Sequence, residues 1–424
     1  MPDYRKLFLK NGLRVITVSK PDSLATTVLV LVEAGSKYET KNINGLSHFL
    51  EHMCFKGTVK RPRAIDISAE LDSIGAEYNA FTSQEWTGYY AKVQNEHRDK
   101  ILDVISDLHL NPVFDSKEIE KEKGVVIEEL NMYEDMPQRK VQDLFLECLY
   151  GDQPAGWDVG GRKEIIQKLK REDFLKYRNQ HYVAKATVMV VAGPPVKEKD
   201  LLSKIEKHFK NISTASKAGK VKIKEDQKKP AILLKFKESD QSHLVLGTRA
   251  FDAFDSRRYA AEILADILGG GMSSRLFQRV REELGAAYYI NASLDLFSDH
   301  GYFAVAAGID HKKLEIVIRA ILEELKKIAA DSLTEKELHR AKDHLSGRLI
   351  LGLETSDSLA TFYGAQEVLK REVVPPKELL EKIHAVSRSE VVKVAKDIFK
   401  NSGLNLALIG PYKNTQPFAK ILKF

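Results

Sequence analysis

The sequence predicts an α+β fold in two related domains, each a mainly antiparallel sheet flanked by helices. Its 424 residues, 43% of them hydrophobic, exceed the size at which a single core usually stops growing. Strand-like and helical segments follow one another without the strict alternation of a parallel βαβ fold. Similar segments also recur in the two halves of the chain, which indicates an internal duplication.

The first domain is predicted to begin with strands. Apolar runs at 7–9 and 13–18 are separated by an Asn11-Gly12 turn, which predicts a hairpin. A third apolar run, at 26–32, follows a second turn rich in Pro, Asp and Ser. These three runs are expected to start the first sheet.

Helices and a second strand pair follow. Residues 46–55, 65–74, 101–110 and 119–133 repeat their apolar side chains at helical spacing. Two short strand-like runs flank residues 82–85. The sheet of the first half is therefore expected to be completed by strands that lie between helices.

The best candidate for a domain boundary lies near the middle of the chain. From 213 to 229 the composition turns to Lys, Ser, Ala and Gly with little apolar content, which is typical of a linker. The sequence therefore predicts a first domain at 1–212 and a second at 230–424. The elements predicted beyond the linker are strands at 231–236 and 243–248, a helix at 257–268, and a strand pair at 286–296 and 302–307.

Three pairs of segments support the duplication. The segment ATVMVVAGP at 186–194 resembles LNLALIGP at 404–411, and the charged helix SKEIEKEK at 116–123 resembles EKELHRAK at 335–342. The helix that contains His48 corresponds to residues 257–269, a stretch without histidine. Only the first half is therefore expected to bind a metal through this helix.

Composition argues against two classes of function. The 66 basic and 60 acidic side chains are mixed along the chain, unlike the concentrated basic patch of a nucleic-acid-binding protein. No segment offers the about 18 uncharged apolar residues of a membrane span, and the first residues lack the apolar core of a signal, so a cytoplasmic location is expected. The two cysteines, Cys54 and Cys148, cannot form a disulfide framework and are predicted to be buried small hydrophobic residues.

The segment His48-Phe49-Leu50-Glu51-His52 carries the strongest chemical signal. On a helix, His48 and His52 share one face, so both imidazoles can reach one ion, and Glu51 lies beside them. The order H-x-x-E-H is the inverzincin signature, in which the glutamate is a base rather than a ligand. The alternative is a solvated helix face, but the large apolar neighbours of the histidines indicate a core helix.

A hydrolytic zinc site needs a third protein ligand and an open position for water. The helical stretch EKEKGVVIEELNMYED offers Glu122, Glu128 and Glu129. Glu122 and Glu129 are seven residues apart, which is about two turns, and so project from the same face. Helical spacing alone does not choose among the three carboxylates.

On these residues the chain resembles the pitrilysin and insulysin family of metallopeptidases, in the branch of mitochondrial processing peptidase and its bacterial relatives. In that family a glutamate ligand follows HxxEH after 76 residues, and residues 53–128 number 76 here. The resemblance therefore implies Glu129 as the third ligand of Zn²⁺, with His48 and His52. The family's supporting acidic residue, seven positions earlier, corresponds to Glu122.

Matches elsewhere extend the resemblance. Asn79 and Ala80 are implied to lie on an edge strand that pairs with the backbone of a peptide substrate, whereas an ordinary strand end is the alternative. Arg281 and Tyr288 are implied to bind substrate carbonyls near the zinc, with a surface arginine and a core tyrosine as the alternative. The glycine run at 269–271 could suggest phosphate binding, but no Gly-Lys-Ser/Thr motif follows it.

The resemblance also implies a mechanism and an assembly. Zinc lowers the pKa of its water, Glu51 takes the proton and passes it to the leaving amine, and Tyr288 helps to stabilise the oxyanion. Glu122 is implied to orient the ligand shell. Two chains are expected to form a clamshell homodimer for short, unfolded peptides, with each site completed in trans by Arg281 and Tyr288.

Two other functional classes compete with this prediction. A non-catalytic scaffold, like the respiratory-complex core subunits similar to this family, usually has a degraded ligand set, whereas all four key residues are present here. A binding module with structural zinc requires a closed site of four ligands. The sequence therefore favours a zinc endopeptidase.

Overall fold

Two β-sheets, each covered by helices, form the framework in the computed structural model, which describes residues 3–424. Met1 and Pro2 of the predicted first domain lie outside these residues. The strands are β1 (Asp3–Phe8), β2 (Arg14–Ser19), β3 (Ala25–Val32), β4 (Glu77–Thr82), β5 (Thr87–Gln94), β6 (Thr187–Gly193), β7 (Ala231–Phe236), β8 (Ser242–Ala250), β9 (Ala287–Leu296), β10 (Gly301–Ile309) and β11 (Asn405–Gly410).

The helices connect these strands and cover the sheets. They are α1 (Leu46–Cys54), α2 (Ala64–Asp72), α3 (Arg98–Leu110), α4 (Ser116–Glu134), α5 (Pro137–Tyr150), α6 (Lys163–Ile166), α7 (Arg171–His181), α8 (Glu198–Phe209), α9 (Arg258–Gly269), α10 (Leu314–Ala329), α11 (Glu335–Gly352), α12 (Ser356–Lys370), α13 (Pro376–Ala385), α14 (Arg388–Ile398) and α15 (Gln416–Ile421). A π-helix spans Phe277–Glu283. The helices predicted in the first half correspond to α1 to α4, and the strands predicted in both halves are confirmed within a few residues.

The two sheets share one topology. The first has the order β1-β2-β6-β3-β5-β4 and the second β7-β11-β8-β10-β9. The pairs β2/β6 and β7/β11 are parallel, and the other pairs are antiparallel. Without the extra edge strand β1, the two orders match strand for strand. This match confirms the predicted α+β fold and its internal duplication, with the refinement that each sheet contains one parallel pair.

The apolar run of β3 is buried along almost its whole length because both faces of the first sheet are covered. Successive side chains of a strand point to opposite faces. Val28 and Val30 pack into the core that includes Ile101 of α3, whereas Leu29 packs into a second core with Tyr363 of α12. A continuous apolar run is therefore what this position in the sheet requires.

The compact units of the chain are not its two contiguous halves. The first unit consists of the residues up to 130, 158–221 and 350–374, and the second of 131–157, 222–349 and 375–424. Helix α12, from the second half of the chain, therefore packs on the first sheet, and α5, from the first half, packs on the second sheet. The predicted boundaries, 1–212 and 230–424, differ from these units, although one division falls inside the predicted linker. Periodicity shows that a helix has an apolar face, but not which sheet that face covers.

The prediction that both cysteines are buried is correct for Cys54 but not for Cys148. Cys54 is buried and Cys148 is half-buried, and both are free thiols. Burial raises the pKa of Cys54 to about 12, and its Sγ lies 3.4 Å from the hydroxyl of Tyr89. Within residues 3–424, no helix is both long enough and apolar enough to cross a bilayer.

Candidate metal centre

Helix α1 presents the motif because its two faces differ in polarity. Leu46, Phe49, Leu50 and Met53 are buried in the core of the first unit, while His48, Glu51 and His52 lie on the partly exposed side. The apolar side chains therefore determine which way the polar ones point.

The N-terminus of α1 is capped by a residue outside the helix. Gly45 occupies the N-cap position with φ of +95°, and a Cβ there would lie 2.6 Å from the carbonyl oxygen of Gly160. Glu39 takes over the capping role, because its carboxylate accepts hydrogen bonds from the backbone N–H groups of Gly45 (2.8 Å) and Ser47 (2.6 Å). Burial raises the pKa of Glu39 to about 7, although these hydrogen bonds oppose the shift.

Helix α4 brings one carboxylate to both imidazoles. Oε2 of Glu129 lies 3.6 Å from Nε2 of His48 and 3.4 Å from Nε2 of His52, and the two Nε2 atoms are 3.3 Å apart. Donor atoms around a tetrahedral zinc, with bonds of about 2.0–2.2 Å, are separated by about 3.3–3.6 Å. The donor set of two imidazoles and one carboxylate therefore fits a zinc ion in both chemistry and spacing. Among residues 3–424, a group of at least three His, Cys, Asp or Glu side chains that could hold a metal ion occurs at this one place.

Glu122 lies on the other side of His52. Its Oε1 is 3.0 Å from Nδ1 of His52, and its Oε2 is 2.6 Å from Nζ of Lys56. Burial raises the pKa of Glu122, but the hydrogen bonds to His52 and Lys56 outweigh it and leave the pKa lowered. The third carboxylate of the predicted set, Glu128, is exposed and does not join the metal-binding group.

The pKa values of the two histidines are shifted in opposite directions. Burial and the neighbouring His52 lower the pKa of His48 to about 4, so its ring is neutral and can donate a lone pair to a metal. Burial also lowers the pKa of His52, but the hydrogen bonds to Glu122 and Glu129 outweigh it and raise the pKa to about 9. A metal at this position would displace the proton from Nε2 of His52, while Glu122 holds Nδ1.

Glu51 has a hydrogen-bond partner that the sequence analysis did not identify. The hydroxyl of Thr82, at the end of β4, donates to Oε2 of Glu51 at 2.6 Å. Burial raises the pKa of Glu51, and the Thr82 hydrogen bond opposes that shift. Thr82 follows Ala80 by two residues, so the two side chains lie on the same face of β4. This spacing could have indicated from the sequence which way Thr82 points.

Asn79 and Ala80 lie on β4, which is the last strand of the first sheet and pairs only with β5 among the described strands. The side chain of Asn79 is exposed, and its Oδ1 accepts a hydrogen bond from the backbone N–H of Ala80 at 2.8 Å. The edge position leaves one side of the β4 backbone available for another strand.

Arg281 and Tyr288 lie next to each other in the second unit, on the π-helix and on the edge strand β9. The Arg281 guanidinium is 4.9 Å from the ring centroid of Phe277 and 6.0 Å from that of Tyr288. Tyr288 is 74% exposed, so the alternative of a core tyrosine is wrong. The residues are available to a ligand on the surface of this unit.

The glycine run before them has a packing explanation. A Cβ on Gly269 would lie 2.1 Å from the backbone nitrogen of Ala292, and one on Gly270 would lie 2.1 Å from Oδ1 of Asp266. Gly269 therefore requires glycine where α9 ends against β9, and Gly270 requires it where the chain lies close to Asp266 of α9. Close packing accounts for these two glycines without a phosphate.

Two family models match the chain. The model described as Insulinase (Peptidase family M16) matches residues 14–161, and the model described as Peptidase M16 inactive domain matches residues 168–345. The first match includes both histidines and Glu129.

Relatives in bacteria span almost the whole chain. The uncharacterized zinc protease YmxG of Bacillus subtilis is 35% identical over 405 residues, which cover 96% of this chain and 98% of that protein. An uncharacterized zinc protease of Streptomyces coelicolor is 33% identical over 421 residues, covering 97% of this chain and 90% of that protein.

Solved structures share the fold. A protease from Helicobacter pylori has a TM-score of 0.90 at 23% identity, covering 97% of this chain and 100% of that chain. A peptidase M16 inactive domain from Pseudomonas fluorescens has a TM-score of 0.89 at 16% identity, covering 97% of this chain and 99% of that chain.

Proposed function

This chain belongs to the insulinase family of peptidases, family M16, and on that premise we propose that it is a zinc-dependent endopeptidase. The observation that carries the proposal is the convergence of His48, His52 and Glu129, whose donor atoms lie 3.3–3.6 Å apart. The names of the relatives as zinc proteases support zinc as the metal.

Different residues of this chain have different roles in the proposed hydrolysis. Bound zinc supplies a Lewis acid and lowers the pKa of water. Glu51, on the same helix as both histidines, accepts the proton of the attacking water and delivers it to the leaving amine. Glu122 holds Nδ1 of His52, which fixes the ring so that Nε2 faces the metal.

The edge of β4 supports a peptide as the substrate. An extended peptide can add to a free strand edge through backbone hydrogen bonds, with little dependence on its sequence. Asn79 and Ala80 stand on this edge, and Glu51 contacts the same strand through Thr82. We assign to Arg281 and Tyr288 the binding of substrate carbonyls, with Tyr288 stabilising the oxyanion.

The proposed assembly is a homodimer that encloses short, unfolded peptides in a clamshell chamber. Arg281 and Tyr288 belong to the second unit, whereas the three donor atoms belong to the first. We propose that each hydrolytic site is completed in trans by the second unit of the partner chain.

The substitution Glu51→Gln tests the function. It removes the base but leaves the donor set intact, so we expect stoichiometric zinc and at least about 100-fold slower cleavage of a quenched fluorescent peptide. Chelation of the wild-type protein should abolish cleavage, and added zinc should restore it. Full activity of the variant would refute Glu51 as the base. A zinc-loaded wild-type protein that cleaves no peptide would instead favour a non-catalytic scaffold.

A further inference from the structure

We propose that Thr82 is a positioning residue for Glu51, and that a peptide paired with β4 orients the catalytic base through it. The inference rests on the proposed peptidase function. Thr82 has no part in the mechanism proposed above. Strand β4, proposed to bind the substrate, would also orient Glu51.

The hydrogen bond joins the two elements that the reaction must bring together. Thr82 is the last residue of β4, and its hydroxyl donates to Oε2 of Glu51 on α1 at 2.6 Å. The other carboxylate oxygen of Glu51 has no hydrogen bond within the described part of the chain, so it is the one available to take a proton. One oxygen therefore serves for orientation and the other for chemistry.

A glutamate needs such a constraint because its side chain rotates about several bonds. A carboxylate that turns away from the attacking water loses rate even when substrate binding is unchanged. Thr82 is partly buried, and its hydrogen bond to Glu51 is short. The hydroxyl is held by the strand, so it restricts the Glu51 carboxylate more tightly than a solvent molecule would. Its contribution is therefore expected in kcat rather than in KM.

The position of β4 connects this constraint to the substrate. Thr82 pairs with Thr87 of β5 on one side of the strand, while the other side is the edge of the sheet. A peptide added to that edge would make backbone hydrogen bonds and reduce the motion of β4. Because Thr82 moves with the strand, Glu51 would be held best when the edge is occupied.

The test compares Thr82→Val, which removes the donor and keeps the shape, with Thr82→Ser, which keeps the donor. For a peptide long enough to pair with β4, we expect Thr82→Val to lower kcat by about 10- to 100-fold with little change in KM. Zinc stoichiometry and affinity should stay at the wild-type level. Thr82→Ser should recover most of kcat, and Thr17→Val on β2 should behave as wild type.

A truncated substrate with the same scissile bond separates the strand effect from a local one. The loss caused by Thr82→Val should be smaller with this substrate, because it cannot hold β4 in place. Equal losses for both peptides would refute the coupling, and an unchanged kcat, or Thr82→Ser as slow as Thr82→Val, would refute the positioning role. Failure of the wild-type protein to cleave either peptide would refute the proposed function as well, which distinguishes the two failures.

Discussion

At the scale of single residues, the contacts that a side chain makes away from the metal position determine its role in the candidate site. His52 has Glu129 near Nε2 and Glu122 near Nδ1, so its two nitrogens are distinguished. Lys56 pairs with the other oxygen of Glu122 and keeps that carboxylate in place. This chain of contacts explains why two similar glutamates on α4 have different proposed roles.

Glu122→Gln should therefore weaken zinc binding without abolishing it. The amide is a poorer acceptor for the His52 N–H and leaves Lys56 without its carboxylate. We expect the zinc affinity to fall by about 10- to 100-fold, measured by competition with a chromophoric chelator. Glu128→Gln, an exposed position on the same helix, is the matched control and should bind zinc normally. Equal affinities for all three proteins would contradict this role of Glu122.

At the scale of elements, α1 depends on loops before and after it. The helix has only nine residues, and its N-cap glycine offers no side chain for capping. Glu39 supplies the missing acceptor from the preceding loop. After the helix, Arg61 donates to Glu70 of α2 and to Asp107 of α3. Glu39 thus caps the short helix that carries both histidines, and Arg61 binds the segment after it to α2 and α3.

Glu39 should make stability depend on pH. Its pKa in the folded protein, about 7, lies above the ordinary value of 4.5, so the folded state binds this proton more tightly than the unfolded state. The contribution of this group to the free energy of unfolding must therefore fall as the pH rises from 4.5 to about 7. Urea unfolding of the metal-free protein should show that Glu39→Gln reduces this decline, by on the order of 1–3 kcal/mol over that range.

The control for the pH effect is Glu128→Gln, which lies on the surface of α4. Its unfolding free energy should follow the wild-type pH dependence. If Glu39→Gln followed the wild-type curve in the same way, burial of Glu39 would not be the source of the decline.

Arg61 should be important for stability because it is 5% exposed and contacts three carboxylates, those of Glu70, Asp103 and Asp107. Arg61→Met leaves these acids without their buried cation, and we expect a loss on the order of 3 kcal/mol in the free energy of unfolding. Arg63→Met is the matched control, because Arg63 is 75% exposed and pairs with Asp66 on the surface. Its loss should be much smaller than that of Arg61→Met, because a solvent-exposed ion pair contributes little to stability. Equal losses in chemical denaturation would contradict the role of burial.

At the scale of the whole molecule, one sheet topology carries two different sets of side chains. Apart from β1, both sheets have the same strand order, but α9 has no histidine where α1 has two. In the register that aligns SKEIEKEK at 116–123 with EKELHRAK at 335–342, Arg348 of α11 stands opposite Glu129 of α4. The second unit retains an exposed pair, Arg281 and Tyr288, on its own edge. Duplication followed by divergence thus fits the proposed division between metal binding in the first unit and substrate binding in the second.

Completion of the site in trans can be tested by mixing two inactive variants. Glu51→Gln lacks the base, and Arg281→Ala lacks the proposed carbonyl ligand. After subunit exchange, half of the dimers contain one of each chain and one intact site, so peptide cleavage should recover to about a quarter of the wild-type rate. No recovery, together with sedimentation that shows an active monomer, would contradict the homodimer.

The sequence by itself determined part of the elements and the donor types. The hairpin, α1 to α4 and the repeated strands follow from local periodicity and turn residues, which act within a few residues along the chain. The spacing of His48 and His52 likewise requires only one helix. These features could be predicted because no distant contact is needed to form them.

Only the tertiary structure decided which groups meet. The rotation of α4 about its axis brings Glu129 to both imidazoles and Glu122 to the back of His52, and helical spacing left that choice open. The Thr82 contact with Glu51 and the packing of α5 and α12 on sheets of the opposite half depend on residues far apart in the chain. Long-range packing selects among faces and partners that local patterns leave equivalent, and that selection creates the candidate site.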